Sequence, residues 1–290
     1  MPTIYGIFAV ILWGLLALLG VATVNIPAFQ LLTLCFCISA AIVVIKRMVT
    51  KKAVFKKPSL TIVQWLMGIF GLFGFHFCYF MALKFAPVLE VSLIVYMWPL
   101  LLAVFVANKQ SLLKPLVGGC VGFVGISFII VGEGDFTLSN DYLFGYLLAV
   151  TCALIWSCYS WFLSKSNNKV EDIGWLSLAV ALLSFLAHLQ LEPYDWSFTL
   201  QEWLGILLLG LGPVGGSFYL WDYGLKYGNK QLLASLSFSA PLISSFALYL
   251  AGFNEWSFNI IIALGLILSG ALISNWTGQS ANNKPYKLFD

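Results

Sequence analysis

Ten apolar segments, each about as long as a bilayer is thick, constrain this chain more than any other feature. They cover residues 4–22, 28–46, 60–83, 89–107, 113–131, 142–163, 173–190, 202–223, 231–251 and 257–276. A helix needs ~20 apolar residues to cross the hydrocarbon core. Only 9% of the 290 residues are charged, whereas soluble domains carry roughly 25%. The sequence therefore predicts an all-α membrane protein with ten transmembrane helices.

The basic residues fall in alternate loops between these segments. If the N-terminus lies in the cytoplasm, 14 of the 15 Lys and Arg residues lie on the cytoplasmic side, and only Lys84 lies outside. Cytoplasmic loops of membrane proteins are enriched in Lys and Arg. We therefore expect both termini in the cytoplasm, with a cytoplasmic tail at residues 279–290.

The two halves of the chain resemble each other at an offset of 142 or 143 residues. Residues 83–86 (LKFA) match residues 225–228 (LKYG). Trp13 matches Trp156, and Pro99 matches Pro241. The sequence predicts two related units.

The predicted units cover residues 1–136 and 137–278. Each holds five spans, and because five is odd, the second unit enters the membrane in the opposite sense. Inverted repeats of this kind enclose a central site that opens alternately to the two sides of a membrane. We expect two inverted five-helix repeats around a central cavity.

Three prolines are predicted to interrupt spanning helices. Proline lacks an N–H group and clashes with the preceding helical turn. Pro99 and Pro241 stand at matching positions of the two units, and Pro213 lies in the glycine-rich run at residues 212–216. All three are candidate hinges. Static kinks at Pro99 and Pro241, and close helix packing near Pro213, are the alternative interpretations.

Residues 79–100 (YFMALKFAPVLEVSLIVYMWPL) resemble the signature of the EamA-type transporters of the drug/metabolite transporter superfamily. Within that superfamily the chain is similar to bacterial aromatic amino acid exporters. The resemblance implies a ten-helix basket whose walls come mainly from spans 1, 3, 4, 6, 8 and 9. It also implies that spans 5 and 10 support the edges, and often the dimer.

Aromatic residues in the spans expected to line the centre form the candidate binding site, together with His76. The predicted substrate-binding residues are Trp13, His76, Tyr79, Tyr96, Trp98, Trp156, Tyr159, Tyr219 and Trp221. Aromatic walls offer apolar area, stacking and a cation–π face for an ammonium group, which suits an amino acid. Helix packing or a lipid-facing belt is the alternative for each residue.

Few ionisable groups are expected within the membrane. His76 is one candidate, since histidine titrates near neutral pH. Glu90 is expected to pair with Lys84 at the membrane surface, and Asp222 with Lys226 at a helix end. No pair of buried carboxylates is apparent, which favours facilitated diffusion, while His76 leaves proton coupling open.

The sequence thus predicts a secondary transporter of the bacterial inner membrane that exports small amphipathic metabolites, chiefly amino acids including aromatic ones. Its expected partners are this solute and membrane lipids, with no nucleic acid, and it is expected to be a monomer or homodimer. No catalytic motif, metal site or cofactor motif is found, so an enzyme is not expected. Alternatives are uptake of a host metabolite or a quaternary amine such as choline, a membrane-embedded enzyme, or a structural membrane subunit.

Overall fold

A computed structural model describes residues 1–54, 56–107, 112–131, 138–193, 196–253 and 255–276. Within these ranges every regular element is a helix. The predicted tail at 279–290 and the predicted boundary between units at 136 and 137 lie outside the described residues.

Fifteen α-helices follow one another along the described chain. The first eight are α1 (Pro2–Gly14), α2 (Leu16–Gly20), α3 (Ala28–Val49), α4 (Ile62–Ile69), α5 (Phe75–Phe85), α6 (Val88–Val95), α7 (Trp98–Val106) and α8 (Leu113–Ile130). The others are α9 (Leu143–Leu163), α10 (Ile173–Leu191), α11 (Leu200–Leu211), α12 (Gly216–Tyr227), α13 (Lys230–Leu236), α14 (Ser239–Leu250) and α15 (Asn259–Asn275). Each of the ten predicted apolar segments therefore contains helix.

Seven helical stretches of the described chain are long and apolar enough to cross a membrane, or nine if two bent pairs each count as one. The bent pairs are α1 with α2 and its continuation to Thr23, at 44°, and α13 with α14, at 42°. The helix α15 is apolar but has only 17 residues. By length and composition the structure thus supports seven to nine spans.

The starts of the helices follow local sequence signals. Thr61 and Gln64 form a capping box at the start of α4, and Thr199 and Glu202 form another at the start of α11. In each box, side chains satisfy backbone N–H groups that have no partner within the helix. Pro87 directly precedes α6 and follows the extended residue that ends α5.

The helices α8 and α15 pack closely against each other. Their contact depends on glycine: a β-carbon on Gly118 would lie 2.4 Å from the carbonyl oxygen of Gly270, and one on Gly270 would lie 2.4 Å from that of Gly118. Small residues allow the backbones of membrane helices to approach this closely. The two helices therefore contact each other directly through their backbones, while their role in supporting the edge stays a prediction.

Charged side chains join the helices at one end of the molecule. Glu171 accepts hydrogen bonds from Lys46 and Arg47 at the end of α3. Lys226 donates to Asn168 as well as to Asp222. These contacts connect α3, α12 and the segment that leads into α10.

The opposite end is held by an acidic cap. Glu192 accepts hydrogen bonds from the backbone N–H groups of Phe29 (2.8 Å) and Gln30 (3.1 Å) at the start of α3. It also contacts His188 at 3.0 Å. A carboxylate at a helix N-terminus satisfies free N–H groups and complements the helix dipole.

Candidate functional site

Most of the broken helices are interrupted near the centre of the bundle. The chain leaves α-helical geometry at Leu15, at Tyr96–Met97 and at Ser237–Phe238. A π-helical turn at Phe70–Gly74 joins α4 to α5, and residues 212–215 separate α11 from α12. Broken helices near the midplane are a common basis for transporter binding sites.

The helix is interrupted just before each of the two predicted kink positions, Pro99 and Pro241, and the two segments that meet before Pro241 are bent by 42°. Pro99 is the second residue of α7 and Pro241 the third of α14, so each lies directly after a break, and both are buried. The carbonyl of Ser237, which Pro241 would free, accepts a hydrogen bond from the N–H of Ala240 at 3.3 Å. The breaks thus face protein, as expected, while the hinge role of both prolines stays a prediction.

Pro213 lies at a third break, where backbone atoms approach one another closely. A β-carbon on Gly215 would lie 1.8 Å from the carbonyl oxygen of Gly210, so this turn admits only glycine there. The hydroxyl of Ser217 donates to the carbonyl of Pro213 (2.7 Å) and accepts from Trp13 Nε1 (3.0 Å). The break is therefore tied to the first helix through Ser217.

A cavity of about 360 Å³ lies beside these breaks. Its lining residues are Trp13, Leu16, Gly20, Thr23, Ala28, Leu31, Leu32, Phe75, His76, Tyr79, Phe80, Val95, Tyr96, Trp98, Trp156, Leu209, Pro213, Val214, Phe218 and Ala240. None of them is Asp, Glu, Lys or Arg. Ligand pockets span ≈ 300–1,000 Å³, so this volume suits a small, largely uncharged or zwitterionic solute.

Four tryptophans from four spans meet at the base of this cavity. The ring centroid of Trp13 lies 6.1 Å from that of Trp98, 5.7 Å from that of Trp156 and 5.0 Å from that of Trp221. All three contacts are edge-to-face, the arrangement that aromatic quadrupoles favour. The cluster joins α1, α7, α9 and α12 through indole rings, three of which also form the cavity wall.

His76 lies on the cavity wall among aromatic rings. Its ring stands edge-on to those of Phe36, Phe75 and Phe218. Its Nδ1 lies 2.6 Å from the carbonyl oxygen of Leu72, and since a carbonyl oxygen only accepts, Nδ1 carries the hydrogen of this bond. The backbone contact therefore fixes the orientation of His76 toward the cavity.

Six of the nine predicted binding residues line the cavity, and Tyr159, Tyr219 and Trp221 do not. Tyr159 packs its ring against Gly71. Tyr219 donates to the carbonyl of Ser39 at 2.8 Å. Trp221 is fully buried behind the other tryptophans and donates to Ser160 at 3.1 Å. These three were expected at the wall because of the spans that carry them, but their helix faces turn toward neighbouring helices.

The sequence analysis missed several wall residues. Phe75 and Phe80 line the wall beside Tyr79 and His76, and Phe218 lines it close to Val214. The start of α3 also contributes, through Ala28 and Leu31, although the second span was not expected in the wall. The i, i+4 spacing of Phe75, Tyr79 and His76, Phe80 is the signal that could have identified two of them.

One of the two acidic residues near the spans differs from expectation. Asp222 pairs with Lys226 at 2.8 Å near the end of α12, as predicted, and the two side chains are 0% and 3% exposed. Glu90 is 5% exposed, and its Oε2 has no hydrogen-bond partner in the described chain. The expected pair with Lys84 is absent from the ion pairs of the described residues.

The arrangement can hold a small amphipathic molecule. Aromatic faces provide stacking and a cation–π surface for an ammonium group. The helices α7, α12 and α14 each begin beside the cavity, and helix N-termini attract carboxylates. No cluster of three or more potential metal ligands occurs in the described part of the chain.

Known proteins of similar sequence are membrane transporters. An aromatic amino acid exporter, YddG, from Ancylobacter novellus is 39% identical over 94% of this chain and 96% of its own. The YddG exporter from Salmonella typhimurium is 26% identical over 62% of this chain and 66% of its own.

The fold and the family agree with these relatives. A solved protein crystal structure superposes with a TM-score of 0.87 at 37% identity, over 94% of this chain and 96% of that one. The EamA-like transporter family matches residues 143–276. The protein is a multi-pass integral membrane protein and not an enzyme. The chain belongs to the EamA-like transporter family.

Proposed function

We propose that this transporter exports amino acids, aromatic ones included, through the aromatic-lined cavity. The observation that carries the proposal is a wall of tryptophan, tyrosine and phenylalanine rings without a charged side chain, placed where spanning helices break. Such a wall binds an apolar side chain by area and stacking. The substrate and the outward direction are supported by the relative from Ancylobacter novellus, which is an aromatic amino acid exporter.

We propose ten spans in two inverted five-helix repeats, with residues 1–136 and 137–278 as the units. Helix contacts support this arrangement because they occur in matching pairs. The packing of α1 against α12 corresponds to that of α9 against α5, and the packing of α1 against α14 to that of α9 against α7. The pairs α3 with α10, and α8 with α15, each join matching spans of the two units.

Matching side chains support the same relation. Gly6 packs against Gly224 and Leu233, and at an offset of 142 or 143 residues these become Ala149, Ala82 and Val91, which form a buried cluster of their own. In both places the first helix of one unit packs against the other unit. Each of these contacts builds a group of helices that come from both units. We propose that the two groups rock as rigid bodies about the breaks at Pro99, Pro213 and Pro241, and that this motion provides alternating access.

The shape of the cavity is consistent with one open and one closed side. Its wall runs from Trp98 and Ala240 at the breaks to Gly20, Thr23 and Ala28 at the helix ends. On the other side of the tryptophan cluster, the Asp222–Lys226 pair is buried. With both termini cytoplasmic in a bacterial inner membrane, the cavity is directed outward. We propose that the protein acts as a monomer or homodimer.

The proposal is tested by transport of labelled phenylalanine in proteoliposomes made from purified protein. Trp98→Ala is expected to reduce the flux at least tenfold, because it removes a wall ring that also contacts the other tryptophans. Trp161→Ala is the matched control, since that ring is 37% exposed and does not line the cavity. Chromatographic and thermal profiles in detergent check that both variants fold.

Competition separates the alternatives. Unlabelled phenylalanine is expected to inhibit the flux, and choline is not. Inhibition by choline alone would favour a quaternary amine as substrate, and an absence of flux from the purified wild-type protein would favour a structural subunit. Unchanged flux after substitution of Trp98, Tyr96 and Trp156 in turn would remove the site assignment.

A further inference from the structure

A second cavity lies at the lysine-rich end of the molecule, well apart from the aromatic one. It has a volume of about 840 Å³. Five cationic side chains line it: Arg47, Lys52, Lys56, Lys57 and Lys169. We refer to this cavity as the lysine pocket.

Its lysines are not neutralised by the acids nearby. Glu171 and Asp172 also line the pocket, which leaves three net positive charges. Glu171 already accepts from Lys46 and Arg47. Asp172 accepts from the N–H and hydroxyl of Ser59 and from the N–H of Lys169. No ion pair to the four pocket lysines occurs among the described residues.

The segment that carries three of these lysines is fixed onto the bundle. Lys51 has a φ of 52°, in the left-handed region that residues with a β-carbon rarely adopt. This turn directs the N–H of Lys52 to the carbonyl of Arg47 at 2.9 Å. The chain is then anchored where Trp175 Nε1 donates to the carbonyl of Lys56 at 3.1 Å.

Two tyrosines complete the lining of the pocket, and they lie on a helix that also contributes to the tryptophan cluster. Tyr223 and Tyr227 lie on α12, the helix that also carries Trp221 and the buried Asp222–Lys226 pair. The lysines, in contrast, lie on segments that join α3 to α4 and α9 to α10. An occupant would therefore connect α12 with two loops.

From this geometry we propose that the lysine pocket binds a phosphate group, supplied by the headgroup of an anionic phospholipid. Lysine ammonium groups bind phosphate as point charges, and basic pockets between membrane helices bind anionic headgroups. The lipid source is favoured because Met48 and Val49, at the end of α3, are 62% and 77% exposed beside the pocket. Tyr223 and Tyr227 also favour a position at the membrane surface, because tyrosine side chains are enriched at membrane–water interfaces.

Native mass spectrometry of the detergent-purified full chain tests the proposal. Phosphatidylglycerol is expected to bind at least tenfold more tightly than phosphatidylcholine. The double variant Lys56→Gln/Lys169→Gln is expected to lose about tenfold in this affinity, given the free energy that each lysine near a membrane surface contributes.

The double variant Lys114→Gln/Lys165→Gln is the matched control. It removes the same charge from two exposed lysines outside the pocket: Lys114 donates to the carbonyl of Trp276, and Lys165 lies over the Trp161 ring. It is expected to stay within about twofold of wild type, because its charges lie farther from the pocket. Equal losses in both double variants, or equal binding of the two lipids with no binding of inorganic phosphate, would overturn the proposal.

A third measurement distinguishes the source of the phosphate group. Inorganic phosphate is titrated into lipid-free protein at constant ionic strength, with melting temperature as the readout. Stabilisation that depends on Lys56 and Lys169, without preference for phosphatidylglycerol, would assign the pocket to a soluble phosphate. Because the readout is binding, the result is independent of the substrate that the protein transports.

Discussion

Trp98 has two roles at the scale of a single residue. It is the first residue of α7, directly after the break, and only 6% of it is exposed. Its carbonyl accepts from the hydroxyl of Ser157 at 3.0 Å, so α7 is held against α9 at the break itself. Its ring meanwhile forms part of the cavity wall. The same residue thus holds α7 at the break and forms part of the proposed binding wall.

The buried Asp222–Lys226 pair carries a prediction about stability. Asp222→Ala is expected to reduce the free energy of unfolding by about 3–5 kcal/mol, because the ammonium group of Lys226 would stay buried without its carboxylate. The double variant Asp222→Leu/Lys226→Met, which keeps the volume and removes both charges, is expected to recover most of the loss. Thermal unfolding in detergent measures both.

The exposed pair between Lys46 and Glu171 is the control for that experiment. Lys46 is 55% exposed, so Lys46→Ala is expected to change stability by about 0–1 kcal/mol. A similar small loss for Lys46→Ala and Asp222→Ala would show that burial does not govern the strength of the Asp222 pair.

At the scale of helices, glycine decides which surfaces can meet. Gly118 and Gly270 place the backbones of α8 and α15 in direct contact, and Gly6 and Gly224 do so for α1 and α12. In a bilayer the lipid tails are as apolar as leucine, so close packing of this kind drives helix association. The glycine-rich face of α8 is therefore occupied within the chain.

Gly270→Ala tests this packing. The added carbon would lie 2.4 Å from the carbonyl oxygen of Gly118, a backbone atom that cannot turn aside. We expect a loss of about 1–3 kcal/mol, as for other overpacked sites, measured as a lower melting temperature in detergent. Gly265→Ala, on the same helix with no atom within 4 Å of its added carbon, is expected to show no loss. Equal melting temperatures for the two variants would contradict the packing argument.

At the scale of the whole molecule, the proposed inversion places corresponding loops on opposite sides of the membrane. Thr50 lies in the loop after the second predicted span and Ser197 in the loop after the seventh. Both residues are exposed. A parallel repeat would instead place the two loops on the same side.

Labelling with a membrane-impermeant maleimide tests both the inversion and the orientation. In intact cells, Ser197→Cys is expected to react and Thr50→Cys is not, because we propose that the Thr50 loop is cytoplasmic; permeabilised cells should show both. The unsubstituted protein, with its six native cysteines, is the control. Reaction of both variants in intact cells would rule out the inverted arrangement, and the reverse pattern would rule out the proposed orientation.

The sequence by itself determined the class of this protein, the positions of its helices and the breaks beside Pro99, Pro213 and Pro241. The length of the apolar segments, the scarcity of charged residues and the positions of Pro99 and Pro241 are local features of the sequence. They predict the helices and their breaks because each backbone group in lipid must find a partner within its own helix. Helix is therefore found in all ten predicted segments, and six of nine predicted wall residues are at the wall.

Only the tertiary structure decided which face of each helix points to the cavity. Nearly every position in an apolar span is hydrophobic, so periodicity cannot distinguish a wall residue such as Trp98 from a packing residue such as Trp221. The burial of Glu90 without an ion pair to Lys84 among the described residues was likewise not predicted, because the surroundings of Glu90 depend on helices distant in sequence. Tertiary packing settles both, since a side chain's surroundings in a bundle are set by long-range contacts that a single span does not encode.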